Sequence, residues 1–136
     1  AVELEAVDKE VLKTLDPATL AVGQTLRIDQ LSFDADSTTI NNESKAVLDE
    51  VYEFLKSNDR IIVEIGGHTN GLPEHDYCDK LSKARAQSVA DYLYNRGIAS
   101  GRIASKGYGK REPLATNSTV AGRRKNQRVE LKVLEI

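Results

Sequence analysis

The densest collection of reactive side chains lies in the run HTNGLPEHDYCD, from His68 to Asp79. It holds the imidazoles of His68 and His75, the thiol of Cys78 and the carboxylates of Glu74, Asp76 and Asp79. These are the ligand types zinc prefers, and His75 and Cys78 stand at a spacing that shares one face of a helix. No second close pair accompanies them, so no metal site is expected. A Cys–His nucleophile is equally poorly supported, because no recognisable signature surrounds Cys78. The plainer expectation is that Cys78 is a small, partly buried residue near a helix start and that His68 is hydrogen-bonded structure at a strand end.

Arg85 carries a different chemistry. It stands four residues from both Leu81 and Val89, so it borders the face of a helix that packs on a sheet. A guanidinium there must be paired or must line a cleft, since an unpaired buried charge is too costly. Its flat fork can hold a carboxylate through two parallel hydrogen bonds. The alternative is an internal ion pair with Asp34, Asp36 or Asp79, and the residues alone leave both readings open. Further along, GRRKNQRVE is rich in basic residues but has no interleaved aromatics or nucleic-acid motif, so no DNA or RNA partner is expected.

The elements that position these groups follow from hydropathy patterning. VELEAV at the start alternates like a short strand, VLKTL suits a helical turn before Pro17, and Gly23 breaks the pattern. Thr25 to Phe33 alternates as a strand. The polar DADSTTINN ends in asparagines suited to capping, and Val47, Leu48, Val51, Phe54 and Leu55 make 43–56 an amphipathic helix. Arg60 to Ile65 reads as a strand closed by Gly66-Gly67. A long helix is predicted from about Tyr77 to Asn95, with Gly97 as its stop. Arg102 to Lys106 forms another strand, residues 119–125 a short helix, and Arg128 to Leu134 a last strand. Its apolar Val129, Leu131 and Val133 alternate with Arg128, Glu130 and Lys132. The pattern gives an α/β sandwich of the α+β type: a small mixed sheet with helices packed on one face. Residues 1–24 form an N-terminal extension, and 25–136 one domain.

Composition agrees with this. The chain has 136 residues, 40% of them hydrophobic, and its 19 basic and 21 acidic side chains leave a net charge of −2. Its length allows roughly two-thirds of the unfolded surface to be buried. Residues 1–95 are markedly acidic and 96–136 markedly basic, so the two ends complement each other on folding. A single cysteine excludes an intramolecular disulfide. No apolar run approaches the roughly 20 residues that span a bilayer. AVELEAVDKE lacks a basic stretch followed by an apolar one and does not read as a signal peptide.

One ordered set of residues is familiar. It begins at Phe33-Asp34-Ala35-Asp36 and Ser37. It continues through Gly67-His68-Thr69, Leu81-Ser82, Arg85-Ala86, Gly97-Ile98 and Gly107-Tyr108-Gly109. It ends with Pro113, Asn117, Gly122-Arg123, Asn126 and Arg128-Val129-Glu130. From about Leu26 to Val133 the chain resembles the OmpA-like C-terminal domain. That resemblance implies an OmpA-like fold and non-covalent, non-catalytic binding of peptidoglycan through the diaminopimelate end of its stem peptide. It further implies a place in the periplasm of a Gram-negative bacterium, with the outer membrane tethered to the wall. The segment would not span a membrane itself, but its parent protein would be associated with the outer one. No cofactor is implied.

In that family an Asp directly after the His-Thr pair receives the ligand's ammonium, and an Arg fifteen positions later holds its carboxylate. Arg85 matches the second, whereas Asn70 stands where the first would be. Pro73 and Cys78 also depart from the family's usual Gly and Asn. Exchanging a charged hydrogen bond for a neutral one predicts a loss of about 1–2 kcal/mol, on the order of tenfold in affinity. Asp36 is the first candidate for a compensating carboxylate and Asp79 the second. The expected ligand-binding set is therefore Asp36, Thr69, Asn70, Asp79 and Arg85, with donors from the helix start. Two rival readings stand beside it. One is an interaction module whose loop is retuned to a protein or another amino acid. The other is a metal-dependent enzyme using His68, His75 and Cys78.

Overall fold

A computed structural model describes residues 6–7, 22–28, 33, 38–71 and 74–136. Among the described residues five strands form one mixed sheet: β1 (Ala6–Val7), β2 (Thr25–Ile28), β3 (Ile62–His68), β4 (Ile103–Gly109) and β5 (Arg128–Glu135). Their spatial order is β1-β2-β5-β3-β4. β3 runs antiparallel to β5 and parallel to β4, while β5 is antiparallel to β2. Ala6–Val7 adds a short parallel edge to β2. The helical turn expected at VLKTL, residues 29–32 of the strand expected to reach Phe33, and the Asp34–Ser37 motif lie outside the described residues.

Helix α1 (Asn42–Ser57) starts where Asn41 accepts the Ser44 amide at 2.8 Å, satisfying one of the orphan donors of a helix start. Val47, Leu48, Val51, Phe54 and Leu55 then recur along one buried face. Helix α2 (His75–Arg96) ends at Gly97, whose φ of 119° lets its own turn close on the Leu93 and Tyr94 carbonyls. Helix α3 (Val120–Asn126) is capped by the Thr119 hydroxyl, 3.0 Å from the Gly122 amide. The core joins the buried faces of α1 and α2 to Val63, Ile65, Ile103, Val129, Leu131 and Val133 on the sheet. None of the described helices is long and apolar enough to cross a membrane.

The end of β3 differs from expectation for a physical reason. Gly66 and Gly67 do not close β3; they pair with β4 and β5, and the strand runs on to His68. Glycine is needed there for close approach. A Cβ on Gly67 would sit 2.2 Å from the Ser82 carbonyl oxygen of α2, and one on Gly66 would sit 2.9 Å from the Tyr108 ring. The two glycines thus bring α2 and Tyr108 onto opposite faces of the same strand. Helix α2 also starts two residues earlier than predicted, at His75.

Candidate functional site

The stretch after β3 is held at each of its residues. The Thr69 amide donates to the Gly109 carbonyl at 2.8 Å, and the Thr69 hydroxyl to the Asn70 carbonyl at 3.1 Å. Cys78 sits below, its thiol 3.8 Å from that same carbonyl. The Gly71 amide donates to Asn117 Oδ1 at 2.9 Å. Thr69 and Asn70 are both buried, Asn70 at 9% exposure. Order in this segment comes from three separate elements, β4, α2 and the segment before α3.

Arg85 approaches from the helix. Cys78, Ser82 and Arg85 lie on one stripe of α2, at successive turns, and all are buried. Cys78 touches the loop and Ser82 receives the Gly109 amide at 3.0 Å, so Arg85 stands about 10 Å along the axis from the loop contact. Helical side chains lean toward the N-terminus, so the Arg85 side chain extends over the turn that precedes it. Arg85 is only 7% exposed, and its guanidinium lies over the Phe33 ring, 5.0 Å from the centroid. An aromatic face beneath a planar cation fixes its orientation and adds cation–π attraction. The helix start adds further donors, because Glu74 occupies the N-cap position without a side-chain cap bond.

The remaining predicted groups are placed differently. Asp36 lies outside the described residues. Asp79 is engaged by Arg111, which bonds both carboxylate oxygens, Oδ2 at 2.8 Å. Those hydrogen bonds hold the Asp79 carboxyl below the usual range. His68, His75 and Cys78 do not converge. His68 turns to Glu130 on the sheet face away from the helices, Cys78 faces the Asn70 carbonyl, and His75 is exposed. The hydroxyls near Arg85 are not activated either: Ser82 and Thr69 both donate to carbonyl oxygens, which leaves neither paired with a base.

The far sheet face holds a polar network built on the hydrogen-bonded histidine expected at the end of β3. Glu130, 6% exposed, receives His68 Nε2 at 3.0 Å and Arg128 Nε at 3.0 Å. Burial pushes the Glu130 carboxyl upward, but the His68 and Arg128 hydrogen bonds outweigh it and hold it below its ordinary value. Arg128 also reaches the Asn126 and Glu112 carbonyls. His68 stacks on Tyr108 at 4.9 Å between centroids, and the Tyr108 hydroxyl bonds Glu64. Burial and the Glu64 carboxylate push the Tyr108 phenol upward. A cavity of about 200 Å³ opens on this face, lined by Glu64, His68, Tyr108 and Glu130 among others. It lies across the sheet from Arg85.

A model of the OmpA family matches residues 32–127. The chain belongs to the OmpA family. Among its relatives, "Outer membrane protein A" of Bordetella avium is 36% identical over 118 residues, covering 87% of this chain and 60% of that protein. "Peptidoglycan-binding protein ArfA" of Mycobacterium bovis is 37% identical over 103 residues, covering 76% and 32% respectively. This OmpA-family chain thus spans about a third to three-fifths of the length of those relatives. The solved cell wall anchor of the T6SS from Pseudomonas aeruginosa superposes with a TM-score of 0.72 at 31% identity, covering 93% of this chain and 94% of that one. The α+β architecture is therefore that of the OmpA family.

Proposed function

We propose that this OmpA-family domain binds peptidoglycan non-covalently through the free amino-acid end of a diaminopimelate stem peptide. The observation that carries the reading is Arg85: a buried cation oriented on Phe33, on the same helical stripe that touches the clamped Thr69–Asn70 loop. A zwitterionic end needs a cation and N–H donors for its carboxylate, and acceptors for its ammonium. Arg85 and the start of α2 supply the first, with the helix dipole adding to them. Asn70, Thr69 and Asp36 supply the second. Asp79 borders the site with its charge already shared with Arg111. The domain holds the wall without cutting it, since its hydroxyls and thiol are not set up as nucleophiles.

Relatives named for the outer membrane, for peptidoglycan binding and for a cell wall anchor support this reading. It places the domain in the periplasm of a Gram-negative cell, within a protein that tethers the outer membrane to the wall. Moderate affinity suffices there, because the wall repeats its ligand many times. Purified sacculi should pull down the wild-type chain at low salt, and Arg85→Ala should remain in the supernatant. Equal recovery of both proteins would contradict the proposal. Asn70 in place of the family's acid favours a second reading, an interaction module retuned to a protein partner, for which Arg85→Ala would leave the contact mostly intact.

A further inference from the structure

The loop that presents Thr69 and Asn70 is tied to a part of the chain far away in sequence. Asn126 is fully buried and uses all of its hydrogen-bonding capacity. Its Oδ1 accepts the Leu114 and Ala115 amides at 2.7 and 3.0 Å, and its Nδ2 donates to the Ala115 carbonyl at 2.9 Å and to Asn117 Oδ1 at 2.9 Å. Asn117 Oδ1 accepts a second bond, from the Gly71 amide at 2.9 Å. Two donors converging on that oxygen fix the orientation of the Asn117 amide. The backbone of Asn117 is held as well, its carbonyl receiving Arg123 at 2.9 Å. Gly71 completes the fit, because a Cβ there would lie 2.3 Å from Asn117 Nδ2.

We infer that Asn117, itself fixed by Asn126, is a positioning residue that sets the Thr69–Gly71 loop for ligand binding. The inference rests on the peptidoglycan reading for the ligand but not for the loop. On the α2 side the loop meets the Cys78 thiol, 3.8 Å from the Asn70 carbonyl, and at its outer end Asn117 accepts the Gly71 amide at 2.9 Å, a full-strength hydrogen bond. Without it the Gly71 amide loses its acceptor, and the Asn70 side chain loses a fixed backbone to project from. Asn117 touches no ligand group in this account; it acts through Gly71.

The test compares Asn117→Leu, which keeps bulk but has no acceptor, with Asn117→Asp, which keeps both acceptor positions. Val51→Ala, in the α1 core far from the loop, controls for lost stability. Hydrogen exchange of the Gly71 amide reports the loop directly, and titration with a diaminopimelate tripeptide reports binding. Asn117→Leu should speed Gly71 exchange and weaken binding, each by about tenfold. Asn117→Asp should restore both, and Val51→Ala should leave the dissociation constant unchanged. Wild-type Gly71 exchange in a folded Asn117→Leu would overturn the inference, as would unchanged affinity. Failure of the wild type to bind the tripeptide would instead overturn the ligand reading, and Gly71 exchange would still decide the role of Asn117.

Discussion

Replacing Asn70 by Asp alters a single side-chain atom in a loop whose backbone is already held from three sides. The Asn70 carbonyl keeps Thr69 Oγ1 and the Cys78 thiol, and Gly71 keeps Asn117. The loop backbone is therefore kept, and the change alters the charge that residue 70 offers an ammonium. A neutral acceptor contributes about 0.5–1.5 kcal/mol and a charged one about 1.5–3, so Asn70→Asp should tighten binding of a diaminopimelate tripeptide by about 1–2 kcal/mol, tenfold or somewhat more. The free protein should move the other way. Residue 70 is 9% exposed, and a carboxylate there loses hydration that the neutral amide does not need. Its stability should fall by about 1 kcal/mol. Calorimetric titration at pH 7 measures the first effect and urea unfolding the second. Lowered stability without any gain in affinity would refute the reasoning, since it would mean that no ammonium meets residue 70. If Asp36→Asn then abolished binding, the missing charge would be traced to Asp36.

Three further outcomes follow from the geometry. Glu130→Gln removes the carboxylate shared by His68 and Arg128 and should destabilise the domain by about 3 kcal/mol at neutral pH. Because the folded pKa of Glu130 is lowered, its contribution is complete above the ordinary carboxylate range and is lost as pH falls through the folded value. The gap between variant and wild type in urea unfolding should therefore close toward low pH, and a constant gap would contradict the network. Gly67→Ala forces a Cβ against the Ser82 carbonyl and should reduce stability by about 3 kcal/mol in the same assay; a neutral result would mean that β3 and α2 separate freely. Asp79→Asn should change tripeptide affinity by less than about threefold, because Arg111 already occupies that exposed carboxylate. A larger loss would make Asp79 a direct ligand group.

Much of the scaffold was legible because period and caps agree. The 3.6-residue stripe of Val47, Leu48, Val51, Phe54 and Leu55, Asn41 before it, and Gly97 after α2 all signal locally. The burial of Arg85 was legible too, since its spacing from Leu81 and Val89 put a cation on the edge of an apolar face, but the Phe33 ring beneath it was not. What escaped the sequence depends on distant partners. Alternation in Arg128–Leu134 correctly separates two faces but does not say what meets the polar one, where His68 and Arg128 enclose Glu130. Gly66-Gly67 carries a turn signal, whereas here the missing side chains admit Ser82 and Tyr108. The tie from Gly71 to Asn117 crosses 46 positions, and no local pattern announces it. The His75–Cys78 spacing is real, yet His75 is exposed while Cys78 faces inward to the loop.

In the proposed function Arg85 holds the carboxylate of a diaminopimelate stem peptide. The direct measurement is calorimetric titration of wild type, Arg85→Lys and Arg85→Ala with a diaminopimelate tripeptide and its lysine-containing counterpart. The account predicts saturable wild-type binding that prefers diaminopimelate, weakened in Arg85→Lys by loss of the two-pronged contact and abolished in Arg85→Ala. Equal affinity for both tripeptides, or binding that survives Arg85→Ala in a folded protein, would contradict it.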